Sequence, residues 1–328
     1  MKRYYRPLLS STRTPGALLL GGGWLWFAQV EELTRRSRRV IPVAALPSVA
    51  HEALTAPRHA LAGLSMDRPR LMGIVNTTPD SFSDGGLYEG ADAAIAHGRA
   101  LVDAGAHIHD NGGESHRTGA EYVNIAAEKA RTMTANEGLE GVAPLSIDTR
   151  KAAVGEAALT AGASLLNDVS GLTHDAAMAP LAARTGAPIC IMHAQGDPKT
   201  MQKNPHYDDV LLDVYDALEA QIAVAEASGV TRNQIIVDPG IGFGKTMEHN
   251  LTLLKGLALL HGLGCPVLLG ASRKRFIGTI SGVEAAPDRV AGSLAVALAG
   301  VAQGAQILRI HDVDETRQAL ALWQASTG

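Results

Sequence analysis

Three apolar runs in this chain close on groups that hydrogen-bond strongly: SID on Asp148, LLND on Asn167 and Asp168, and IIVD on Asp238. A carboxylate only accepts hydrogen bonds, whereas a carboxamide also donates. Two Asp with an Asn between them therefore suit the amide-and-amine edge of a flat heterocycle. A second set is cationic. Ser272, Arg273, Lys274 and Arg275 follow the run PVLLGA, and Arg309 and His311 stand two apart in ILRIHDV. On a strand that spacing puts both on one face, where they can share an anion. A further run ends at Asn76 and opens into TTPDSFSDGG, a turn-rich loop carrying Asp80 and Asp84. Taken singly, each of these is an ordinary N-cap, turn or surface residue. Their recurrence at equivalent points of successive units makes them candidates for one site.

The units are strand then helix, eight times. Strands are expected at Leu71–Asn76, His107–Asn111, Pro144–Asp148, Leu165–Val169, Pro188–His193, Gln234–Asp238, Pro266–Gly270 and Gln306–His311. Helices are expected over 91–104, 122–137, 151–161, 175–184, 208–228, 248–260, 288–302 and 313–325. Near-continuous apolar strands alternating with amphipathic helices imply a parallel sheet buried on both faces, and eight units suffice to close it. The expected fold is a (β/α)8 TIM barrel with its site at the carboxyl ends of the strands. An open doubly wound sheet is the alternative, but it requires neither eight units nor polar residues at each strand end.

The chain has 328 residues, more than a barrel needs, and the excess precedes Arg70. We therefore expect an amino-terminal extension over 1–69 and a barrel over 70–328. The formal net charge of −4 gives no general attraction to nucleic acid. Residues 1–70 nevertheless carry 11 Lys and Arg against 4 Asp and Glu, a basic segment best taken as a solvated docking element. Within it, residues 16–46 suggest a helix and a strand packed on the barrel. The Leu18–Leu20 run is far too short to span a bilayer, and no cleavage pattern follows it, so a cytoplasmic, membrane-free protein is expected. The two cysteines, Cys190 and Cys265, sit in or beside apolar strands and make no disulfide framework.

One segment is a decoy. GIGFGKT at Gly240–Thr246 looks like a phosphate-cradling loop, yet Pro239 stands where the P-loop pattern needs its first Gly. It reads instead as a mobile strand-to-helix loop, with Phe243 as an apolar wall.

The segments GIVNTTPDSFSDGG, SIDTRKAAVGEAAL, LLNDVSG, MHAQGDPKTMQ, DPGIGFGKTMEHNL, GASRKRFIG and ILRIHDVDET, in this order, resemble the dihydropteroate synthase family from about Arg70 onward. The resemblance implies a transferase of folate synthesis that joins 6-hydroxymethyl-7,8-dihydropterin diphosphate to p-aminobenzoate, acting as a homodimer on small-molecule substrates. It assigns Asp148, Asn167, Asp238 and Lys274 to the pterin and Asn76, Arg309 and His311 to pyrophosphate, with Mg²⁺ held through Asn76. Asp84, Arg117, Phe243 and Ser272 fall to p-aminobenzoate, and Asn76, Lys274, Arg309 and His311 to catalysis. The chemistry agrees, because departing pyrophosphate leaves a cation conjugated with an electron-rich ring and its stabilisation lowers the barrier.

One stretch departs from the family pattern. HIHDNGGESHRTGA keeps Asp110, Glu114 and Arg117, but has His116 where Thr is usual and Thr118 where Pro is usual. Loss of that Pro frees a backbone angle, so weaker p-aminobenzoate binding is expected. His107, His109 and Asn111 face the helices, where unpaired polar groups are costly; they either find partners or weaken that edge. A metal site on His107 and His109 is a minor alternative. A pterin-binding methyltransferase domain, a non-catalytic homologue and a phosphosugar-type barrel are the competing functions.

Overall fold

The computed structural model describes residues 1–77, 87–115, 121–196 and 200–327, the first three residues of the 87–115 segment in their backbone only. The extension holds β1 (Tyr4–Pro7), β2 (Leu18–Leu19), β3 (Trp26–Phe27), β4 (Gln29–Leu33), β5 (Arg38–Pro42) and α1 (Ser48–Thr55). There follow β6 (Arg70–Asn76), α2 (Leu87–Asp103), β7 (Ile108–Gly112), α3 (Ile125–Leu139), β8 (Leu145–Asp148), α4 (Ala152–Thr160), β9 (Leu165–Asp168) and α5 (Met178–Thr185). The chain continues through β10 (Ile189–Met192), α6 (Val210–Ala227), β11 (Ile235–Asp238), α7 (Met247–Lys255), β12 (Leu268–Leu269), α8 (Arg275–Ser281), α9 (Val290–Ala302), β13 (Ile307–Ile310) and α10 (Val313–Thr327).

The eight strands β6 to β13 are parallel neighbours in the order β11-β10-β9-β8-β7-β6-β13-β12, and a parallel bridge between Val237 and Val267 joins the two ends. The result is a (β/α)8 barrel, and the open sheet is excluded. Period-two alternation sorts its interior into layers. Met72, Ile108, Leu165, Cys190, Ile236, Leu268 and Ile307 form one buried apolar layer, closed below by Leu61 and Met66. Two residues further along the same strands come Asp110, Asn167, Asp238 and Arg309, with Asp148 two beyond Ser146 on β8. The polar groups thus stand directly on an apolar plug.

Two helical expectations need correction. The stretch 248–260 is broken, since α7 ends at Lys255 and a 3-10 segment, Leu257–Leu263, replaces its last turns. Gly256 sits at the break, where a Cβ would lie 2.5 Å from a Leu211 methyl. Residues 275–281, left outside the expected helices, form α8 with Phe276 and Ile277 buried, and Gly282 ends it at φ 72°. Instead of a helix and strand, residues 16–46 form two antiparallel pairings, β2-β3 and β4-β5, while the helix lies beyond them at α1.

Most basic side chains of the extension are exposed, as expected, yet the segment is anchored. It docks on the acidic face of α6. Lys2 Nζ lies 2.6 Å from Asp216 and 2.5 Å from Glu219, and Arg35 pairs with Asp213 and, at 2.6 Å, with Asp216. Beneath these partly exposed pairs, the buried Tyr4 ring meets Tyr215 edge-on at 5.3 Å, and its hydroxyl donates to Asp216 at 2.8 Å. Exposed pairs contribute little each, so the aromatic contact should dominate. Tyr4→Ala is expected to lower stability by about 3 kcal/mol, read by calorimetry; a loss below about 1 kcal/mol would remove the extension as a buttress of α6.

On β7 and just before it the outward polar residues differ in fate. His107 Nδ1 accepts the Leu71 N–H at 3.0 Å. Asn111 donates to Asn136 Oδ1 at 2.6 Å and to Thr132 O at 3.3 Å, and accepts from Thr77 Oγ1 at 3.3 Å. His109 is fully buried beside the Gly98 carbonyl, and neither ring nitrogen attains hydrogen-bond geometry with a described residue. Burial keeps it neutral by lowering its pKa. Among the described residues no group of three or more His, Cys, Asp or Glu suited to a metal includes His107 or His109. Replacing His109 with Leu removes unsatisfied polar atoms at similar volume; we expect about 1–2 kcal/mol of stabilisation and a melting point raised by a few degrees, whereas a lowered one would contradict this.

Candidate active site

The carboxyl-terminal mouth is organised around Arg309. Its Nε donates to Asp110 Oδ2 at 2.5 Å and an Nη to Asp148 Oδ2 at 2.8 Å, while Asn167 Nδ2 donates to the same Asp110 oxygen at 3.1 Å. Asp238 accepts the Gly240 N–H at 2.7 Å. Between these residues the strands carry glycine. A Cβ at Gly112 would lie 3.4 Å from Asp148 Cβ, and one at Gly270 would lie 3.5 Å from Asp238 Oδ2. The missing side chains leave floor space beside the polar groups.

Burial raises the pKa of both Asp110 and Asp238; Arg309 opposes the shift at the first and Lys274 at the second. Burial also opposes the Arg309 cation, but Asp110 and Asp148 outweigh it and hold its pKa above the ordinary value. Lys274 is brought down to about 8 by burial, with Asp238 limiting the fall. Burial and opposite charges thus pull these groups in opposing directions, a common condition of functional clefts.

The basic run after β12 divides its labour. Arg273 adopts φ 57°, a left-handed conformation costly to a non-glycine residue, and points away to pair with the buried Asp312. Its N–H donates to Ser293 Oγ at 2.9 Å and its carbonyl accepts from Arg289 at 2.9 Å, which fixes the turn. Lys274, next in line, enters the mouth; its Nζ donates to the Ile241 carbonyl and stands 4.4 Å from the centre of the Phe243 ring. Arg275 is exposed. Ser272 turns to His311, whose Nδ1 is 3.0 Å from Ser272 Oγ and whose N–H donates to it at 3.2 Å. In this structure Arg309 pairs with two carboxylates across the barrel, and His311 meets Ser272. Asn76 ends β6, in register with Gly112 of β7.

The glycine loop packs closely against the end of β10. A Cβ on Gly240 would fall 1.9 Å from the His193 carbonyl oxygen, and one on Gly244 would fall 2.3 Å from that of Gln195. Its glycines allow close approach to the β10 end, a use of glycine unrelated to phosphate. Asp80, Asp84, His116, Arg117 and Thr118 lie outside the described residues. On the near side of the 116–120 segment, Glu114 accepts from Arg150 at 3.0 Å, Lys151 at 2.6 Å and the Val123 N–H at 3.1 Å. Burial favours the acid form of Glu114, yet Arg150 and Lys151 prevail and hold it at about 2.

The structure thus brings Asp148, Asn167, Asp238, Lys274 and Arg309 to one mouth, and Ser272 with His311 to its border. Asp110 was not among the expected site residues, although its alternation with the inward Ile108 marks it as facing the barrel interior. Lys245, buried behind the glycine loop, was also missed, because a Lys in a Gly-rich segment suggests phosphate or solvent.

Residues 72–311 match the model of a family described as pterin binding enzyme. The chain is 47% identical over 268 residues to a dihydropteroate synthase of Neisseria meningitidis serogroup B, covering 80% of this chain and 94% of that one. It is 42% identical over 265 residues to a dihydropteroate synthase of Escherichia coli K12, covering 80% and 93%. Among solved structures it resembles Xanthomonas albilineans dihydropteroate synthase with 4-aminobenzoic acid, at 45% identity and a TM-score of 0.78 over 83% of this chain and 98% of that one. The same enzyme in complex with 7,8-dihydropteroate gives 43% identity and a TM-score of 0.73 over 80% and 95%.

Proposed function

The chain belongs to the pterin-binding enzyme family, and from that premise we infer that it catalyses the dihydropteroate synthase reaction, condensing 6-hydroxymethyl-7,8-dihydropterin diphosphate with p-aminobenzoate. The observation that carries the assignment of residues is the convergence of Asp110, Asp148, Asn167, Asp238, Lys274 and Arg309 on one mouth above an apolar plug. Asp148 and Asp238 accept the N–H groups of the pterin ring edge, Asn167 both donates and accepts, and Lys274 donates to a ring acceptor. The C–O bond from the pterin methylene to the diphosphate breaks with its electron pair leaving on pyrophosphate; the C–N bond to the aniline nitrogen forms, and that nitrogen sheds a proton. Arg309 and His311 hold the departing charge. No strong base is needed, since an aniline is already neutral at pH 7. Asp110 keeps the Arg309 fork oriented when the pterin engages Asp148. Phe243 and Ser272 border the p-aminobenzoate subsite, with Asp84 and Arg117 assigned to it by family resemblance.

Mg²⁺ fits this donor set only as a companion of the diphosphate. Asn76 offers a single neutral carboxamide oxygen, and the described residues contain no acidic cluster that would hold the ion alone. Mg²⁺ commonly takes one or two protein ligands, substrate phosphates and water. When bound through Asn76 it would neutralise charge on the leaving group. A homodimer is part of the same reading, as the family resemblance implies. A cytoplasmic location is supported by two free buried cysteines, as in a reducing compartment.

Pyrophosphate release from the purified chain, with each component withheld in turn, tests the function. Release should require the pterin diphosphate, p-aminobenzoate and Mg²⁺ together. Equal release without p-aminobenzoate, or none with all three, would overturn it.

A further inference from the structure

Three successive carbonyls of the glycine loop are each held by a different side chain. Gln202 Nε2 donates to Gly242 O at 2.5 Å, Lys245 Nζ to Phe243 O at 3.0 Å, and the Tyr207 hydroxyl to Gly244 O at 2.9 Å. Lys245 differs from the other two. It is 3% exposed, has no carboxylate within ion-pair distance among the described residues, and also reaches the His193 carbonyl at 3.2 Å and His193 Nδ1 at 2.9 Å. An ammonium has three N–H groups, and here it meets three acceptors. His193 is kept neutral by burial and by Lys245, which lower its pKa to about 3, so its Nδ1 can accept and its own proton sits on Nε2.

Burial makes a cation expensive here and brings the Lys245 pKa down to about 7, with the charge of Asp238 limiting the fall. The three bonds of Lys245 span two loops: one runs to the carbonyl of Phe243 and two to His193 at the end of β10. Phe243 is flanked by Gly242 at φ 85° and Gly244 at φ 62°, positions with large conformational freedom. Fixing the carbonyl between them fixes the peptide plane that aims the Phe243 ring, which packs beside Lys274 Nζ at 4.4 Å.

We propose that Lys245 is a positioning residue for the second substrate: by stitching the Gly240–Thr246 loop to His193, it aims the Phe243 ring that walls the p-aminobenzoate subsite. This rests on the function stated above, and on Phe243 as part of that subsite. Lys245 itself touches no substrate. It acts through Phe243, which makes the claim different from general support of the fold. A purely structural lysine would change the melting temperature, or both Michaelis constants together. A positioning lysine changes the constant for the aromatic amine, and only while the phenyl ring is there to be aimed.

The test is a double-mutant cycle with steady-state kinetics for both substrates. Lys245→Met keeps the chain length and removes the donors. It should raise the KM for p-aminobenzoate about tenfold, leave that for the pterin diphosphate within about threefold, and have less than about a threefold effect in a Phe243→Ala background, since residues acting as one unit are not additive. Equal change in both constants, or the same factor in both backgrounds, overturns the proposal. Should Lys245→Met not fold, His193→Ala decides: it removes one of three acceptors and should raise the KM for p-aminobenzoate about threefold in the same Phe243-dependent way. No change there also overturns the proposal. A wild-type chain that releases no pyrophosphate would instead refute the assigned reaction, which separates the two failures.

Discussion

Arg309→Lys should lower kcat for pyrophosphate release by about 10²- to 10³-fold while the protein still folds. The guanidinium bridges Asp110 and Asp148 through two nitrogens, at 2.5 and 2.8 Å. A lysine can answer the charge of that pair, so it avoids the loss of about 3–5 kcal/mol expected when a buried partner is removed outright. It cannot reproduce the planar fork, and so cannot hold one carboxylate while turning charge toward the departing diphosphate. Arg309→Met is the harsher companion: kcat should fall at least as far, and the melting temperature should drop because Asp110 and Asp148 are left facing each other. A kcat within fivefold of wild type in Arg309→Lys would remove Arg309 from leaving-group stabilisation.

The second large effect is expected at Asp238. Burial raises its folded pKa above the ordinary carboxylate value, although Lys274 opposes this. A raised acid pKa means that the ionised form costs stability, a cost fully present above the folded pKa and absent below the unfolded value of 3.8. Above that folded pKa the protein holds a carboxylate that folding alone would prefer neutral. Asp238→Asn should therefore leave the melting temperature at pH 7–8 unchanged or higher, and should flatten its pH dependence between the two pKa values. Activity should move the opposite way. One acceptor oxygen becomes a donor facing a ring edge that also donates, and kcat/KM for the pterin diphosphate should fall by about 10²- to 10⁴-fold. The KM for p-aminobenzoate should change little. Reduced stability together with retained activity would contradict this assignment on both counts.

The strands were legible because a buried parallel strand must be apolar along its length, and each run ended within a residue or two of its expected place. Asp148, Asn167, Asp238 and Arg309 were legible because barrel closure gathers strand ends whatever the helices do. Asp110 was harder to see. Only period two on β7 marks it, and the neighbouring His109 and Asn111 blur that signal by being polar on the opposite face. Partnership could not be read at all. That Arg309 faces two acids, and that Arg273 turns off to Asp312 while Lys274 enters the mouth, depends on a left-handed residue at 273 that composition does not forecast. The glycine loop was opaque for a related reason, since its glycines allow a close approach to the carbonyls of His193 and Gln195 that composition does not reveal. The charge of the extension was visible, but its destination on Asp213, Asp216 and Glu219 of α6 was not. Side chains spaced three apart on a helix look the same whether they meet water or a docked strand.

A crystal structure of the chain with an unreactive analogue of the pterin diphosphate tests the central claim most directly. The ring edge should lie within hydrogen-bond reach, about 2.7–3.2 Å, of Asp148, Asn167 and Asp238, with the diphosphate against Arg309 and His311. A ring seated elsewhere, or a diphosphate pointing away from Arg309, would contradict it.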